Sequence, residues 1–172
     1  MKRNAISTAV MGVCVALALI FSYVEVLLPP LMAAFPGVKI GLSNVVVIFL
    51  LYRFGVARSA LVSLVRVFLV FLLFGNAVSL AYSVAGAVLS LLVMALLKAT
   101  RCFSVVAVSV AGGIAHNVGQ ILMAILLLGV AEIGYYLIVL AVTGLVFGGV
   151  VGFLGGLAER RIPRFAFERD MS

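Results

Sequence analysis

The chain is almost devoid of aspartate, because Asp170, close to the end of the sequence, is the single one. A hard cation such as Mg²⁺ needs several oxygen ligands, which enzymes supply largely as clustered carboxylates. The chain therefore lacks the groups for magnesium-dependent chemistry of that kind. It also lacks a glycine-rich phosphate loop followed by lysine, which excludes ATP hydrolysis by the chain alone.

Cysteine and histidine are also scarce. The two cysteines, Cys14 and Cys102, lie far apart in the sequence, and His116 is the single histidine. A disulfide or a metal site would need more ligands in a suitable arrangement. We therefore predict no metal site, no resident cofactor and no catalytic residues, so the chain is not expected to be an enzyme. Both cysteines are interpreted as ordinary small apolar residues.

Charge is also rare, since 10% of the residues are charged and 66% are hydrophobic. The apolar residues form runs, and about 20 apolar residues cross a hydrocarbon core of about 30 Å as a helix. We predict an all-α integral membrane protein with six transmembrane helices in a single domain, residues 1–172, ending in a short basic tail from about residue 158. The second run is short and is expected to be irregular or shielded by its neighbours. The runs are residues 5–28, 40–54, 56–74, 76–97, 103–128 and 133–157.

The basic residues predict the orientation of these helices, because cytoplasmic loops are enriched in lysine and arginine. Placing the N-terminus in the cytoplasm leaves Lys39 outside and Arg66 within a helix. We therefore expect both termini in the cytoplasm and a multi-pass protein of the plasma membrane. This topology explains the net charge of +7 without a nucleic-acid partner. The expected cytoplasmic residues are Lys2, Arg3, Arg53, Arg58, Lys98, Arg101, Arg160, Arg161, Arg164 and Arg169.

Uncharged polar residues gather in the half of the helices that is expected to face outward. Polar groups inside a bilayer are costly, so their positions point to function. The inner half is predicted to be almost entirely apolar apart from its boundary charges. This asymmetry indicates a pocket that opens outward rather than a channel. The predicted ligand contacts are Lys39, Asn44, Asn76, Tyr82, His116, Asn117 and Gln120.

Two buried polar residues have competing interpretations. His116 shares a helix face with Gln120, four residues later. It is either a hydrogen-bonding group between helices or a ligand contact, with proton relay and metal binding as minor alternatives. Arg66 lies about midway along the third helix, so we expect a buried partner. Backbone carbonyls, Glu25 and an anionic group of a ligand all fit.

Small residues are spaced for close helix packing. The last helix has a glycine at every fourth position, which allows another helix to approach backbone to backbone. These are Gly144, Gly148, Gly152 and Gly156. Ala5 and Ala9 form a shorter version at the cytoplasmic end of the first helix, and they are a candidate face for docking another membrane subunit. The first external loop, residues 28–39, is apolar and rich in proline, so it is either a lid over the pocket or inert structure.

Residues 35–44, Phe-Pro-Gly-Val-Lys-Ile-Gly-Leu-Ser-Asn, resemble the segment leading into the second helix of energy-coupling factor transporter substrate-binding components. The resemblance implies a six-helix S component whose first external loop closes over a ligand held in the outer half. It also implies that an Ala-x-x-x-Ala face on the first helix meets the transmembrane coupling subunit. Ala5 and Ala9 match that face.

A narrower resemblance is to the bacterial inner-membrane family known as heptaprenyl diphosphate synthase component I, or Gx transporter. It rests on residues 39–44, 73–75, 82–90 and 112–120 and spans residues 5 to about 125. The scarcity of aspartate conflicts with the synthase name, so the resemblance implies at most an accessory role in joining isoprenoid diphosphates. Members are also associated with flavinylated redox systems and quinone metabolism, which suggests an isoprenoid, a quinone or a flavin as ligand or partner.

Three functions are compatible with these features. The first is a substrate-binding transport subunit in membrane lipid, with a small-molecule ligand and a separate coupling subunit and ATPases. The second is a membrane subunit of an extracellular flavin or quinone electron-transfer system, with membrane redox partners. The third is a non-catalytic accessory component of heptaprenyl diphosphate synthesis.

Overall fold

A computed structural model describes residues 2–27, 41–74 and 77–163. Within these ranges all secondary structure is helical, with no β-strand, which confirms the predicted all-α class for this part. A short 3₁₀ helix precedes the last α-helix. The elements are α1 (Lys2–Leu27), α2 (Asn44–Phe54), α3 (Val56–Phe74), α4 (Ala77–Thr100), α5 (Val105–Leu128), the 3₁₀ helix Ala131–Tyr135 and α6 (Tyr136–Arg161).

Five of these helices, all except α2, are long and apolar enough to cross a membrane. The chain is therefore a multi-pass membrane protein. The second apolar run differs from the other five. It forms the 11-residue helix α2, which at 1.5 Å per residue is only about 16 Å long. The prediction of six spanning helices thus holds for five, because α2 alone covers about half of a hydrocarbon core of about 30 Å.

The helix ends follow local signals in the sequence. Ser104 caps α5, because its hydroxyl accepts a hydrogen bond of 3.2 Å from the backbone N–H of Ala107. The same helix ends at Gly129, whose φ of +68° is left-handed and whose N–H donates to the Ile125 carbonyl at 2.9 Å. Gly55, with φ of +85°, separates α2 from α3. Glycine thus allows the tight turn that returns the chain into the bundle.

The short helix α2 lies in the core of the bundle. Seven of its 11 residues are buried, whereas at most 22% of the apolar span of each long helix is buried. One apolar cluster joins Leu50 of α2 to α1 and α3, and a second joins Leu51 to α4 and α5. Both leucines are fully buried. The second run is therefore shielded by its neighbours, as predicted, and it is regular from Asn44 onward.

Large apolar side chains cover the outer surfaces of the long helices. Leu96, Leu126 and Ile138 are 68%, 76% and 73% exposed. In water, an apolar surface of this extent would promote association. In a bilayer the same side chains contact hydrocarbon, while the backbone polar groups are satisfied within each helix. The exposed surface therefore fits contact with lipid.

The helix α5 packs closely between α4 and α6 because glycines allow the backbones to touch. A Cβ atom at Gly113 would lie 2.7 Å from the carbonyl oxygen of Gly144 on α6. A Cβ atom at Gly119 would lie 2.7 Å from the carbonyl oxygen of Ala85 on α4. Neither distance can be accommodated without moving a helix. These contacts hold the three helices in the arrangement that forms the cavity described next.

Candidate functional site

Polar side chains from all six α-helices, and from Ser43 just before α2, converge on one cavity of about 90 Å³. A single water molecule needs only about 10–15 Å³ of such space. The cavity therefore has room for several waters or for part of a small ligand. Its polar side chains belong to Ser22, Glu25, Ser43, Asn44, Arg66, Ser83, Ser90, Ser109, His116, Asn117, Gln120 and Thr143.

Among the described residues that line the cavity, Arg66 is the one arginine or lysine, and it is only 8% exposed. Its Nη1 donates to the Ser43 hydroxyl, and it lies 3.4 Å from the Ser22 hydroxyl oxygen. Its Nε is buried and has no hydrogen-bond partner among the described residues. A buried donor without a partner costs about 1–3 kcal/mol. Arg66 therefore has hydrogen-bonding capacity to offer a ligand.

Glu25 is the acidic side chain of the cavity, and it links α1 to the start of α2. Its Oε1 accepts a hydrogen bond of 2.7 Å from the backbone N–H of Leu42, two residues before α2. Its carboxylate also interacts electrostatically with Arg66. Negative charge near a helix N-terminus is stabilising. Of the partners expected for Arg66, the structure thus provides Glu25, together with two serine hydroxyls that the sequence analysis did not name.

The predicted contacts His116, Asn117 and Gln120 on α5 all line the cavity. The His116 ring packs against α4, since a Cβ atom at Gly86 would lie 2.8 Å from its Cε1. The Nδ2 of Asn117 donates to the Leu140 carbonyl of α6 at 2.5 Å. Asn117 therefore connects α5 to α6 in addition to lining the cavity.

The other predicted ligand contacts have different outcomes. Asn44, the first residue of α2, lines the cavity. Tyr82 is not among the residues that line it, whereas the adjacent Ser83 is. Consecutive side chains on a helix point about 100° apart, which accounts for the difference. Lys39 and Asn76 lie outside the described residues, so their roles stay predictions.

The half of the bundle that was predicted to face inward is more polar than expected. Ser59, Ser63, Ser90 and Ser109 are all buried in that half, and Ser90 and Ser109 reach the cavity. The expectation of an almost entirely apolar inner half was wrong because serine is cheaply accommodated. Its hydroxyl can bond to a nearby carbonyl, as Ser59 does to Val47 at 2.9 Å. The sequence feature that could have identified these buried polar positions is a serine within an apolar run.

The opposite end of α2 carries the second buried arginine. Arg53 donates to the carbonyls of Glu159 at 3.2 Å and Ile162 at 3.0 Å, and to a third carbonyl beyond them. Cations near a helix C-terminus satisfy its free carbonyls. Close by, Lys98 Nζ donates to the Leu51 carbonyl. Basic residues from α2 and α4 thus share one end of the bundle with the C-terminus of α6.

The glycine series of α6 packs against α5 of the same chain. A Cβ atom at Gly144 would lie 3.0 Å from the Asn117 amide nitrogen, and one at Gly148 would lie 2.8 Å from the Val110 Cα. At Gly152 the nearest atom would be 2.7 Å away, and at Gly156 it would be 3.5 Å away, an ordinary contact. Gly148 and Gly152 therefore need their small size, Gly144 is tightly packed, and Gly156 has room for a larger residue.

The small-residue face of α1 has no close neighbour where it is described. Ala9 is exposed, and a Cβ atom at Gly12 would have nothing within 4 Å. The side chain of Ala5 lies outside the described part of the chain. Docking of another subunit on this face stays a prediction.

The described residues contain no group of three or more His, Cys, Asp or Glu side chains that could hold a metal ion. The two cysteines are separated: Cys14 is buried in α1, and Cys102 is exposed in the connection between α4 and α5. The described side chains that line the cavity carry hydrogen-bonding groups and one buried arginine.

Residues 14–157 match the family described as "Heptaprenyl diphosphate synthase component I". This range covers α2 to α5 completely and most of α1 and α6. The chain belongs to this family. Its membership in the component I family confirms the narrower resemblance seen in the sequence. No curated protein and no solved structure matches the chain.

Proposed function

We propose that this component I protein is a membrane substrate-binding subunit that holds a small molecule in the cavity between its helices. One observation carries the proposal: polar side chains from six helices converge on one cavity inside a bundle whose outer surface is apolar. Ionisable and polar groups at membrane depth are costly, and they usually mark a path or site for a substrate. A concave site with a few convergent polar groups is typical of ligand binding.

The proposal includes an orientation in the plasma membrane, with both termini in the cytoplasm. The end at which Arg53 and Lys98 bond to backbone carbonyls would then face the cytoplasm, in keeping with the enrichment of basic residues there. Glu25, near the end of α1, and Asn44, at the start of α2, lie at the other end of the bundle from these basic residues. The cavity would consequently open toward the outside.

Thiol labelling tests this orientation. Cys102 is exposed beside the basic end, and Cys14 is buried. A membrane-impermeant maleimide should therefore label inside-out vesicles and leave intact cells unlabelled. Cys102→Ser, which retains Cys14, is the control and should remove the signal. Labelling of Cys102 in intact cells would reverse the orientation.

The binding function is tested by purifying the protein in mild detergent and identifying bound molecules by mass spectrometry. We expect a small molecule at close to one per protein. Gln120→Leu, which replaces a cavity amide with an apolar side chain of similar size, should reduce its occupancy. Tyr82→Phe, on α4 but away from the cavity, should not. Equal occupancy in the wild type and Gln120→Leu would contradict the proposed site.

A transport role requires partners, because the sequence contains no phosphate-binding loop with which to hydrolyse ATP. The uncovered face of α1 around Ala9 and Gly12 is the proposed contact for a transmembrane coupling subunit, as in the energy-coupling factor transporters that the sequence resembles. Co-purification of ATPases with the protein would support this. Co-purification of extracellular flavoproteins would favour the electron-transfer alternative.

The family description favours a second function, a non-catalytic accessory role in heptaprenyl diphosphate synthesis. The chain would contribute no catalytic group, given its single aspartate. A soluble synthase would bind at the basic end formed by Arg53, Lys98 and Arg161. Membranes containing the protein should then change the rate or product length of such a synthase. Absence of any change, relative to membranes without it, would remove this role.

A further inference from the structure

We infer that the cavity binds its ligand through a carboxylate, and that Arg66 is the anion-binding group. The inference rests on the proposed function insofar as it names the chemical class of that substrate. The anion site itself rests on the surroundings of Arg66, and it can be tested without knowing the physiological ligand.

Arg66 has the charge and the donors that a carboxylate needs. Its side chain is more than nine-tenths buried, it lines the cavity, and its Nε has no partner among the described residues. The Ser22 and Ser43 hydroxyls that it contacts orient the guanidinium without adding charge, and Glu25 is the opposite charge that a ligand anion would compete with. A guanidinium stays charged in proteins, and its planar fork matches the two oxygens of a carboxylate.

The charge around the site indicates a monoanion. The N-terminus of α2 faces the cavity through Gly41 and Asn44, and the positive end of its dipole adds to the attraction for an anion. Glu25 opposes this attraction, although its Oε1 already accepts the Leu42 N–H. Among the described residues that line the cavity, one arginine and the partial charge of about +0.5 at a helix N-terminus are set against one glutamate, so their excess positive charge is too small to offset a dianion. This balance favours a carboxylate over a phosphate dianion.

The rest of the cavity indicates an apolar body attached to the carboxylate. Val67 and Val70 of α3 lie on the same side as Arg66, and Phe147 and Val151 of α6 also line the cavity. Apolar walls with a few fixed polar groups bind ligands that are mostly hydrocarbon. The inferred class is therefore a small aromatic or aliphatic acid, or a larger molecule that inserts such an acid group.

Benzoate and benzamide make a matched pair of probes, because they have nearly the same shape and differ in charge. Each would be titrated against the purified full-length protein in detergent, at constant ionic strength set with chloride. Thermal unfolding can be followed with a thiol-reactive dye that reports exposure of Cys14, which is 6% exposed, in a Cys102→Ser background. We expect benzoate to raise the unfolding temperature and to bind about 10–100-fold more tightly than benzamide, the range for a hydrogen bond to a charged group.

Three variants test whether the preference for benzoate over benzamide depends on Arg66. Arg66→Gln should abolish this preference. Glu25→Gln should strengthen benzoate binding, because glutamine still accepts the Leu42 N–H but carries no competing charge. Arg53→Gln removes an equally buried arginine that does not line the cavity, so the preference should survive. Should Arg66→Gln fail to fold, the direction of the Glu25→Gln effect decides.

Several results would overturn the inference: equal binding of benzoate and benzamide, a preference retained in Arg66→Gln, or no gain in Glu25→Gln. A neutral molecule that co-purifies while benzoate shows no preference would refute the carboxylate site and leave the proposed function intact. A clear preference dependent on Arg66, together with equal occupancy of the co-purified molecule in the wild type and Gln120→Leu, would contradict the proposed function and leave the anion site standing.

Discussion

One buried arginine stands at each end of α2, and the two have different partners. Arg53 belongs to the last turn of α2, whereas Arg66 of α3 contacts Ser43 beside the first turn. Arg53 is 7% exposed and Arg66 is 8% exposed. Arg53 donates to three carbonyls at the C-terminus of α6, where the helix dipole supplies partial negative charge. Arg66 contacts two uncharged hydroxyls, and its Nε is left without a partner among the described residues.

The difference shows that burial alone does not identify a functional arginine. At Arg53 the partners belong to the backbone at the end of a neighbouring helix, so the side chain joins α2 to α6. At Arg66 the partners among the described residues leave one donor, Nε, unused beside a cavity, and a buried unpaired donor lowers stability unless something else binds to it. Arg53 therefore stabilises helix packing, whereas Arg66 has a hydrogen-bond donor available for a ligand.

The largest effect should come from comparing Arg53→Gln with Arg66→Gln. Arg53→Gln removes donors from free carbonyls of α6, and we expect it to lower the free energy of unfolding by about 3 kcal/mol. Arg66→Gln removes contacts to uncharged hydroxyls and one unpaired buried donor, and Glu25 keeps its bond from the Leu42 N–H, so the cost should be lower, about 1 kcal/mol. Unfolding by SDS in mixed micelles measures both. Equal losses would break the comparison.

A smaller effect should appear in the wall of the Arg66 cavity. Gly113→Ala would place a Cβ atom 2.7 Å from the Gly144 carbonyl oxygen, and overpacking of this kind should cost about 2 kcal/mol. The control is Gly156→Ala, where the nearest atom would be 3.5 Å away. Alanine favours a helix over glycine by about 0.5–1 kcal/mol, so the control should be neutral or slightly stabilising. The same SDS titration tests the pair, and a neutral Gly113→Ala would show that α5 and α6 are less closely packed.

The smallest expected effect separates two buried serines. Ser43→Ala removes the closer of the two hydroxyl contacts described for the Arg66 guanidinium, and it should cost about 1 kcal/mol. Ser59→Ala removes a donor to the Val47 carbonyl, which lies inside α2, so the cost should be about 0.5 kcal/mol. Only Ser43→Ala should also weaken benzoate binding. Loss of benzoate binding in Ser59→Ala would mean that the effect spreads through the bundle instead of acting at Arg66.

Most of the helical framework could be predicted, because it depends on local hydropathy and on local end signals. The run 56–74 corresponds to α3, and the run 103–128 ends with α5 at Leu128. The last run was expected to begin at 133, yet α6 begins at Tyr136. A 3₁₀ turn and an α-helix with the same apolar residues have the same hydropathy, so the sequence did not distinguish them.

The candidate site was predictable only where a polar residue stands out in an apolar run. Asn44, His116, Asn117 and Gln120 were identified in this way, and all four line the cavity. Tyr82 stood out equally but does not line it. Serines at Ser22 and Ser43, which contact Arg66, were missed because serine is common in membrane helices and its position along a helix does not show which way it points.

The sequence by itself determined that the chain is helical, lies in a membrane and belongs to the component I family, because these properties follow from composition, run length and motif. Only the tertiary structure decided which buried arginine has a donor to spare. The contacts that distinguish the two arginines join residues 44 positions apart for Arg66 and Ser22, and 106 positions apart for Arg53 and Glu159. Such partners meet only when the helices pack, because no local pattern along the chain specifies them.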